Sequence, residues 1–393
     1  METLGLYIQV PFCASKCSFC NFSSRVVSGD VFDRYCAALA EEIERLPQFY
    51  RALGVKSGLL ELPVDSVYFG GGTPSLLGIQ RLVRVFESLD RRFPFASLCE
   101  FTIEITPGSA DQDYLTQARA LGVNRLSVGA QSFDDRELRS VGRLHSAEDT
   151  RALVDAARKT GFANISLDLI AGLPHQSTAS WQHSVESVIA LRPEHVSVYL
   201  FEIDEKSRLG REVLQQGSRY HADSVPDEDF MADAYEYGRN ALRQAGYVQY
   251  EISNFALPGK ESVHNLKYWQ LKPYIGLGAG AHSFDGRIRW ANVTSVEKYE
   301  RRVLAGNSPV GDQYMLSPDA QLEEFFFLGL RQMEGINLLE AHQRWGRERV
   351  EPWARKIESL ERDGWVERHD DCIRLTESAL LVSNEIFQEF IAA

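Results

Sequence analysis

The sequence lacks a signal peptide, a long apolar run and an excess of basic residues. No run approaches the roughly 20 apolar residues that a bilayer-spanning helix needs, so we expect neither a transmembrane nor a secreted protein. Acidic residues outnumber basic ones, 55 to 42, for a net charge of -13. Because binding to phosphates requires a basic face, this balance argues against nucleic acid as the main partner. At 393 residues, the chain is long enough for one large domain and a smaller one.

Cysteines are also few, but half of the six lie within eight residues. Cys13, Cys17 and Cys20 form a CxxxCxxC motif directly after the apolar run 4–10, which predicts a strand that runs into a loop. Three thiolates on one loop can hold three irons of a cubane cluster and leave the fourth iron open to a small chelating molecule.

Two alternatives to such a cluster are less consistent with this pattern. A structural zinc site needs a fourth ligand, and only Cys36 and Cys99 occur among the Cys and His residues of the next hundred positions. Disulfides are disfavoured because three is an odd number and the spacing is tight. Free clustered thiols indicate a reducing compartment, and we expect the protein in the cytoplasm.

Strand and helix patterns alternate along the first half of the chain. Predicted strands cover 5–10, 64–69, 101–106, 125–130, 165–170 and 196–201, and predicted helices cover 31–46, 76–89, 111–121, 147–160 and 179–191. This alternation predicts parallel strands with right-handed crossovers. Six units indicate an α/β fold with a partial (β/α)6 barrel.

The pattern becomes mainly helical from about residue 311. Predicted helices at 319–330, 338–345 and 350–363 are followed by a short hairpin and a last helix at 377–390, an arrangement that resembles a winged-helix module. The last predicted helix has three glutamates and no basic residue, so we interpret the module as a lid or protein-docking surface. We predict three domains: a barrel at 1–205, an extension at 206–310 and this helical domain at 311–393.

Unusual residues follow the predicted strands at the edge where a barrel places its chemistry. Strand two ends in the glycines 70–72 followed by Thr73 and Pro74, which allows a ligand to approach the backbone. Glu104 and Asp168 lie within apolar strands, and Gln131 and Arg143 follow strand four. Each feature alone is compatible with an ordinary turn or salt bridge. Together they predict a polar rim around one ligand.

The CxxxCxxC loop and the glycine turn resemble the radical S-adenosylmethionine (SAM) superfamily. Further runs resemble the oxygen-independent coproporphyrinogen oxidase family: 7–22, the GGGTP turn, 103–107, 128–133 and 168–174. The resemblance implies that Cys13, Cys17 and Cys20 ligate a [4Fe-4S] cluster. It also implies that SAM is surrounded by Tyr7, Phe19, Gly71, Gly72, Thr73, Glu104, Gln131, Arg143 and Asp168. The implied chemistry is one-electron reduction of SAM by the cluster, which requires an electron donor.

Within this family the chain resembles the HemW branch, which is associated with binding heme and delivering it to acceptor proteins. Phe22 stands where the oxidases of the family carry a fourth cysteine, and only twelve residues precede Cys13, where the oxidases have a longer arm. The segment His264-Asn265-x-x-Tyr268-Trp269 looks like the HNxxYW signature of the HemW branch. The resemblance therefore implies a heme chaperone, with porphyrinogen oxidation as the alternative function.

The heme ligand and the question of catalysis stay open at this level. His264 is the candidate axial ligand, since imidazole commonly ligates heme iron, but a hydrogen-bonded structural histidine fits the same motif. His282 is the second candidate ligand. No catalytic residue is assigned. A third hypothesis is a barrel that holds a structural metal and performs no radical chemistry.

Overall fold

A computed structural model describes residues 2–27 and 29–391, and six parallel strands lie side by side in it in chain order. These strands are β1 (Leu4–Val10), β2 (Val64–Gly71), β3 (Phe95–Ile105), β4 (Arg125–Gln131), β5 (Ile165–Ala171) and β6 (His195–Leu200). Each neighbouring pair is parallel. The predicted α/β class and partial (β/α)6 barrel are confirmed.

Helices connect these strands and cover their outer face. They are α1 (Gly29–Leu53), α2 (Ile79–Arg92), α3 (Gln112–Ala120), α4 (Asp135–Ser140), α5 (Ala147–Lys159) and α6 (Thr178–Leu191). Helix α5 begins at a capping box, in which the Ser146 side chain accepts from the Asp149 N–H and the Asp149 carboxylate accepts from the Ser146 N–H. Helix α1 runs seven residues past its predicted end because its apolar stripe continues through buried Phe49 and Tyr50.

The sheet continues beyond the six barrel strands on both sides. The next elements are α7 (Arg208–Leu214), α8 (Glu228–Gln244), β7 (Val248–Glu251), β8 (Asn254–Ala256), α9 (Val263–Trp269), β9 (Tyr274–Leu277), β10 (His282–Phe284), β11 (Ile288–Asn292), α10 (Val296–Leu304) and β12 (Val310–Met315). Strand β9 pairs in parallel with β1, and β8 pairs antiparallel with β6. The predicted extension at 206–310 thus supplies strands to the same sheet as the barrel.

The C-terminal part contains four helices and a small sheet. Its elements are α11 (Pro318–Gly329), β13 (Ile336–Asn337), α12 (Leu338–Trp345), α13 (Arg347–Arg362), β14 (Val366–His369), β15 (Cys372–Leu375) and α14 (Ser383–Gln388). The strands are ordered β13-β15-β14. This agrees with the expected winged-helix-like arrangement of helices and hairpin.

The continuous last helix predicted at 377–390 is wrong. A 3-10 turn, Glu377–Val382, precedes the short α14, and the backbone at Val382 is not helical. Beyond α14, Phe390 stacks on Phe326 with ring centroids 5.1 Å apart, so tertiary packing outweighs the local helical pattern. Within residues 2–27 and 29–391, no helix is long and apolar enough to cross a membrane.

Candidate functional site

The cysteine loop, residues 11–27, leaves the end of β1 and is anchored at its base and at its middle. At the base, the Cys13 N–H donates to the Arg25 carbonyl at 3.0 Å. At the middle, the Ser18 N–H donates to the Val141 carbonyl at 3.0 Å. The second bond ties the loop to the connection after β4, so the loop lies over the carboxyl ends of the barrel strands.

The three clustered cysteines line one cavity of about 920 Å³ at this end of the barrel. All three are free thiols, and burial raises the pKa of Cys20. In the described part of the chain, no group of three or more Cys, His, Asp and Glu side chains is arranged to hold a single metal ion. Three thiols facing a roomy cavity fit a cluster with one open iron better than a closed four-ligand zinc site.

The glycine turn after β2 packs directly against the cysteine loop. The Thr73 N–H donates to the Phe12 carbonyl at 2.7 Å, and a Cβ on Gly72 would lie 2.3 Å from the same oxygen. Gly71 has φ +108°, which favours glycine, and its N–H donates to Glu104 Oε2 at 2.9 Å. The glycines are therefore required by the contact between the two loops as well as by the cavity beside them.

Two carboxylates line the cavity below the loops. Burial raises the pKa of Glu104 to about 7, and the neighbouring charge of Asp168 adds to the shift. Burial also raises the pKa of Asp168, whose Oδ1 accepts from Ser166 Oγ at 3.4 Å. A bound ligand with an ammonium group or hydroxyl donors would stabilise the charged forms of both side chains.

Arg143 connects the cysteine loop to the end of β4. Its Nη2 donates to the Gly129 carbonyl at 2.6 Å, and its Nη1 lies 3.8 Å from Cys17 Sγ. Its buried Nε has no hydrogen-bond partner among the described residues. Gln131 ends β4 with φ +68°, and both side chains line the cavity. The guanidinium is thus placed to pair with a ligand carboxylate next to the cysteines.

Eight of the nine residues predicted to surround SAM line this cavity, and Tyr7 does not. The Tyr7 ring packs against both Tyr68, with centroids 5.9 Å apart, and His264, at 6.1 Å. Tyr68 lines the cavity instead. Sequence reasoning missed it, although a tyrosine within an apolar strand two residues before the glycine turn was a usable signal. Phe19 is among the residues that line the cavity.

Arg125 and His195 line the deep end of the same cavity and were also missed. The Arg125 side chain is fully buried and lies 3.9 Å from Glu100 Oε2, and two of its nitrogens have no hydrogen-bond partner among the described residues. His195 contacts Ser166 Oγ and Tyr250 Oη, each at 2.8 Å. A basic residue at the start of an apolar strand was the available signal for Arg125.

His264 lies in the core below the cavity, where α9 packs against the amino-terminal part of the barrel. It is 1% exposed. Its Nδ1 lies 3.0 Å from Ser66 Oγ and its Nε2 2.9 Å from Tyr268 Oη, and burial lowers its pKa to about 3. Both ring nitrogens are engaged, so this arrangement favours the hydrogen-bonded structural role over the iron ligand. His282 is exposed on β10 and does not line the cavity.

Comparison with known proteins gives matches over both parts of the chain. Residues 7–188 match the family described as Radical SAM superfamily, and residues 316–382 match the HemN C-terminal domain. Heme chaperone HemW of Bacillus subtilis is 33% identical over 386 residues, covering 98% of each chain. Heme chaperone HemW of Escherichia coli is 30% identical over 399 residues, covering 100% of this chain and 99% of its own.

A solved structure with the same fold is that of coproporphyrinogen III oxidase (HemN) from Escherichia coli, described as a radical SAM enzyme. It superposes with a TM-score of 0.85 at 25% sequence identity, over 99% of this chain and 90% of that one. The likeness covers the barrel and the C-terminal domain together.

Proposed function

Since the chain belongs to the HemW family of radical SAM proteins, we propose that it binds heme and transfers it to acceptor proteins. The observation that carries the proposal is the similarity to heme chaperones along the whole chain. Phe22 supports it, because this side chain is 63% exposed at the mouth of the cavity and provides no metal ligand where the oxidases of the family have a cysteine.

The radical SAM fold implies a [4Fe-4S] cluster and SAM, and the cavity residues fit both. Cys13, Cys17 and Cys20 would hold the cluster at the cavity wall. When bound, the cluster would supply one electron for the reductive cleavage of SAM, which requires an electron donor from outside the chain. Free cysteines on this loop are compatible with a reducing compartment such as the cytoplasm.

The charges and aromatic rings of the other cavity residues suggest their roles toward SAM. Arg143 would pair with the SAM carboxylate, since its Nε is buried without a partner in the described chain. Glu104 and Asp168 would accept hydrogen bonds from the amino group or the ribose hydroxyls. Phe19 and Tyr68 would exclude water from the space between them. These contacts would orient SAM toward the cysteine loop.

The alternative function is oxygen-independent oxidation of coproporphyrinogen III, favoured by the TM-score of 0.85 to an oxidase. The two functions differ in what happens to the tetrapyrrole. A chaperone releases heme unchanged, whereas an oxidase removes carboxyl groups from a porphyrinogen. The Phe22 side chain is the feature of this chain that argues against the oxidase function.

The test begins with anaerobically reconstituted protein titrated with heme and followed at the Soret band. We expect saturable one-to-one binding, followed by transfer to a heme-free b-type cytochrome at a higher rate than from heme-loaded serum albumin, the control donor. A lack of saturable binding would refute the proposal. Conversion of coproporphyrinogen III by the same preparation with SAM and a reductant would establish the alternative.

A further inference from the structure

A second cavity, of about 680 Å³, lies against the cysteine loop. It shares Ala14, Ser15 and Gly142 with the cavity described above, so the loop separates the two spaces. Its volume lies in the range of about 300–1,000 Å³ that is typical of small-molecule sites. We call it the basic pocket, after the side chains that define it: Lys16, Arg139, Arg208, Tyr220 and His221.

Three cations of the basic pocket have no acidic partner. None of Lys16, Arg139 and Arg208 lies within 4.0 Å of a carboxylate oxygen in the part of the chain that the structure describes. This is notable in a chain of net charge -13. Arg208 is held in place, because it donates to the Lys16 carbonyl and lies 5.2 Å from the centroid of the Tyr220 ring. The group is therefore suited to bind carboxylates.

An exposed imidazole lies at the edge of the basic pocket. No hydrogen bond joins the His221 ring to any residue among 2–27 and 29–391, and its centroid is 4.9 Å from that of His175. His175 Nδ1 accepts from Arg136 Nη2 at 3.2 Å, because a guanidinium only donates. Because the His221 ring makes no hydrogen bond to the described residues, it keeps a nitrogen that is available to bind a metal. Both ring nitrogens of His264 are, by contrast, engaged.

The backbone that carries this imidazole is held in an unusual conformation. Tyr220 has φ +58° and His221 φ +61°, a region that costs about 1 kcal/mol or more for each non-glycine residue. The segment keeps this conformation while Tyr220 packs on the apolar cluster that includes Val141. The strained turn directs His221 to the pocket instead of into that cluster.

Apolar side chains complete the walls of the basic pocket. Val26 is 60% exposed, and Val141 is buried at the back. A planar macrocycle needs apolar contact on its faces, its carboxylates need cations and its iron needs a nitrogen ligand. The basic pocket offers all three kinds of contact in one concave space.

We propose that the basic pocket is the heme site, with His221 as the axial iron ligand and the three cations around the heme carboxylates. This rests on the proposed heme chaperone function and identifies the site at which the cargo binds. The position next to the cysteine loop places the cargo on the opposite side of that loop from SAM. An acidic electron-donor protein would also match the cations, but it would not use a concave space or an imidazole nitrogen.

The first experiment compares heme titrations of the reconstituted full chain with His221→Ala and His183→Ala. His183 is exposed on α6 and serves as the matched control. We expect His221→Ala to weaken heme binding at least tenfold and to change the Soret position and the iron spin state, with added imidazole restoring the spectrum. His183→Ala should match the wild type. Both positions are exposed, so neither variant should alter the fold.

The second experiment tests the cations with a chemical variant of the ligand. Arg139→Ala should weaken heme binding about five- to tenfold and leave the binding of heme dimethyl ester, which has no free carboxylates, unchanged. Equal losses for heme and its ester would contradict the proposed contact between the guanidinium and a carboxylate.

The failures of the two proposals are distinguishable. If the wild type binds no heme, the chaperone function itself is wrong. If the wild type binds heme and both variants titrate like His183→Ala, the basic pocket is not the heme site and the chaperone function stands. Unchanged heme binding in Arg139→Glu, with slower cluster reduction by an acidic donor protein, would instead identify the pocket as a docking surface and overturn the assignment.

Discussion

Replacing Gly72 by alanine tests whether the glycine turn sets the position of the cysteine loop. The added Cβ would lie 2.3 Å from the Phe12 carbonyl oxygen and 2.8 Å from its carbonyl carbon and amide nitrogen. A carbon next to a carbonyl oxygen needs about 3.3 Å, so one backbone must move by about 1 Å. Because the neighbour is main chain, it has no rotamer with which to relieve the contact.

The shift would propagate directly to the cysteines, since Cys13 follows Phe12. We expect Gly72→Ala to lower stability by about 1–3 kcal/mol, as for an overpacked site. We also expect iron per chain after reconstitution to fall by more than half, because three thiols that must bind one rigid cluster tolerate little displacement. Iron and sulfide analysis, with a melting curve of the apo protein, measures both effects.

Gly29→Ala is the matched control. Gly29 has no positive φ and no atom within 4 Å of an added Cβ, and it lies at the start of α1, where alanine is a good helix former. This variant should keep its iron and its melting temperature. Full iron content and unchanged SAM affinity in Gly72→Ala would refute the reasoning, because the loop would then have absorbed the contact without moving the cysteines.

Three further predictions concern the cluster, SAM and a buried acid. Cys17→Ala should abolish cluster incorporation yet leave the circular dichroism spectrum unchanged; unchanged iron content would contradict the ligand assignment. Arg143→Ala should weaken SAM binding about tenfold or more, measured by calorimetry, through loss of a charge-assisted pair; Arg143→Lys should recover part of the loss. Burial raises the pKa of Glu42 to about 7, so between pH 4.5 and 7 the folded state holds a proton that the unfolded state has released. Stability should fall by up to about 3 kcal/mol as pH rises through that window, and melting of Glu42→Gln should depend less on pH there; an equal dependence in both proteins would contradict the shift.

The six barrel strands were predictable because each is a short apolar run bounded by turn residues and followed by a helical pattern. That information is local. The strands β7 to β12 were not predicted, since most have only three to five residues and their pairing partners lie far away in the chain. The last helix was predicted wrongly, because its apolar spacing looks helical until the packing of Phe390 on Phe326 is known.

Some features of the candidate site were likewise predictable from local sequence, and others were not. The spacing of Cys13, Cys17 and Cys20 determines by itself that three thiols share one short loop, because the loop is too short to separate them widely. The parallel alternation then determines that Glu104, Gln131 and Asp168 come to one edge, since parallel strands end together.

Tertiary structure alone decided which nitrogens and rings are free to bind. His264 is engaged by Ser66, 198 positions away in the chain, and Tyr7 is turned from the cavity by stacking on Tyr68. The basic pocket joins Lys16 to Arg139 and His221, which no sequence pattern relates. Spacing along the chain determines what a loop can ligate, whereas the availability of a side chain depends on contacts that only the folded chain brings together.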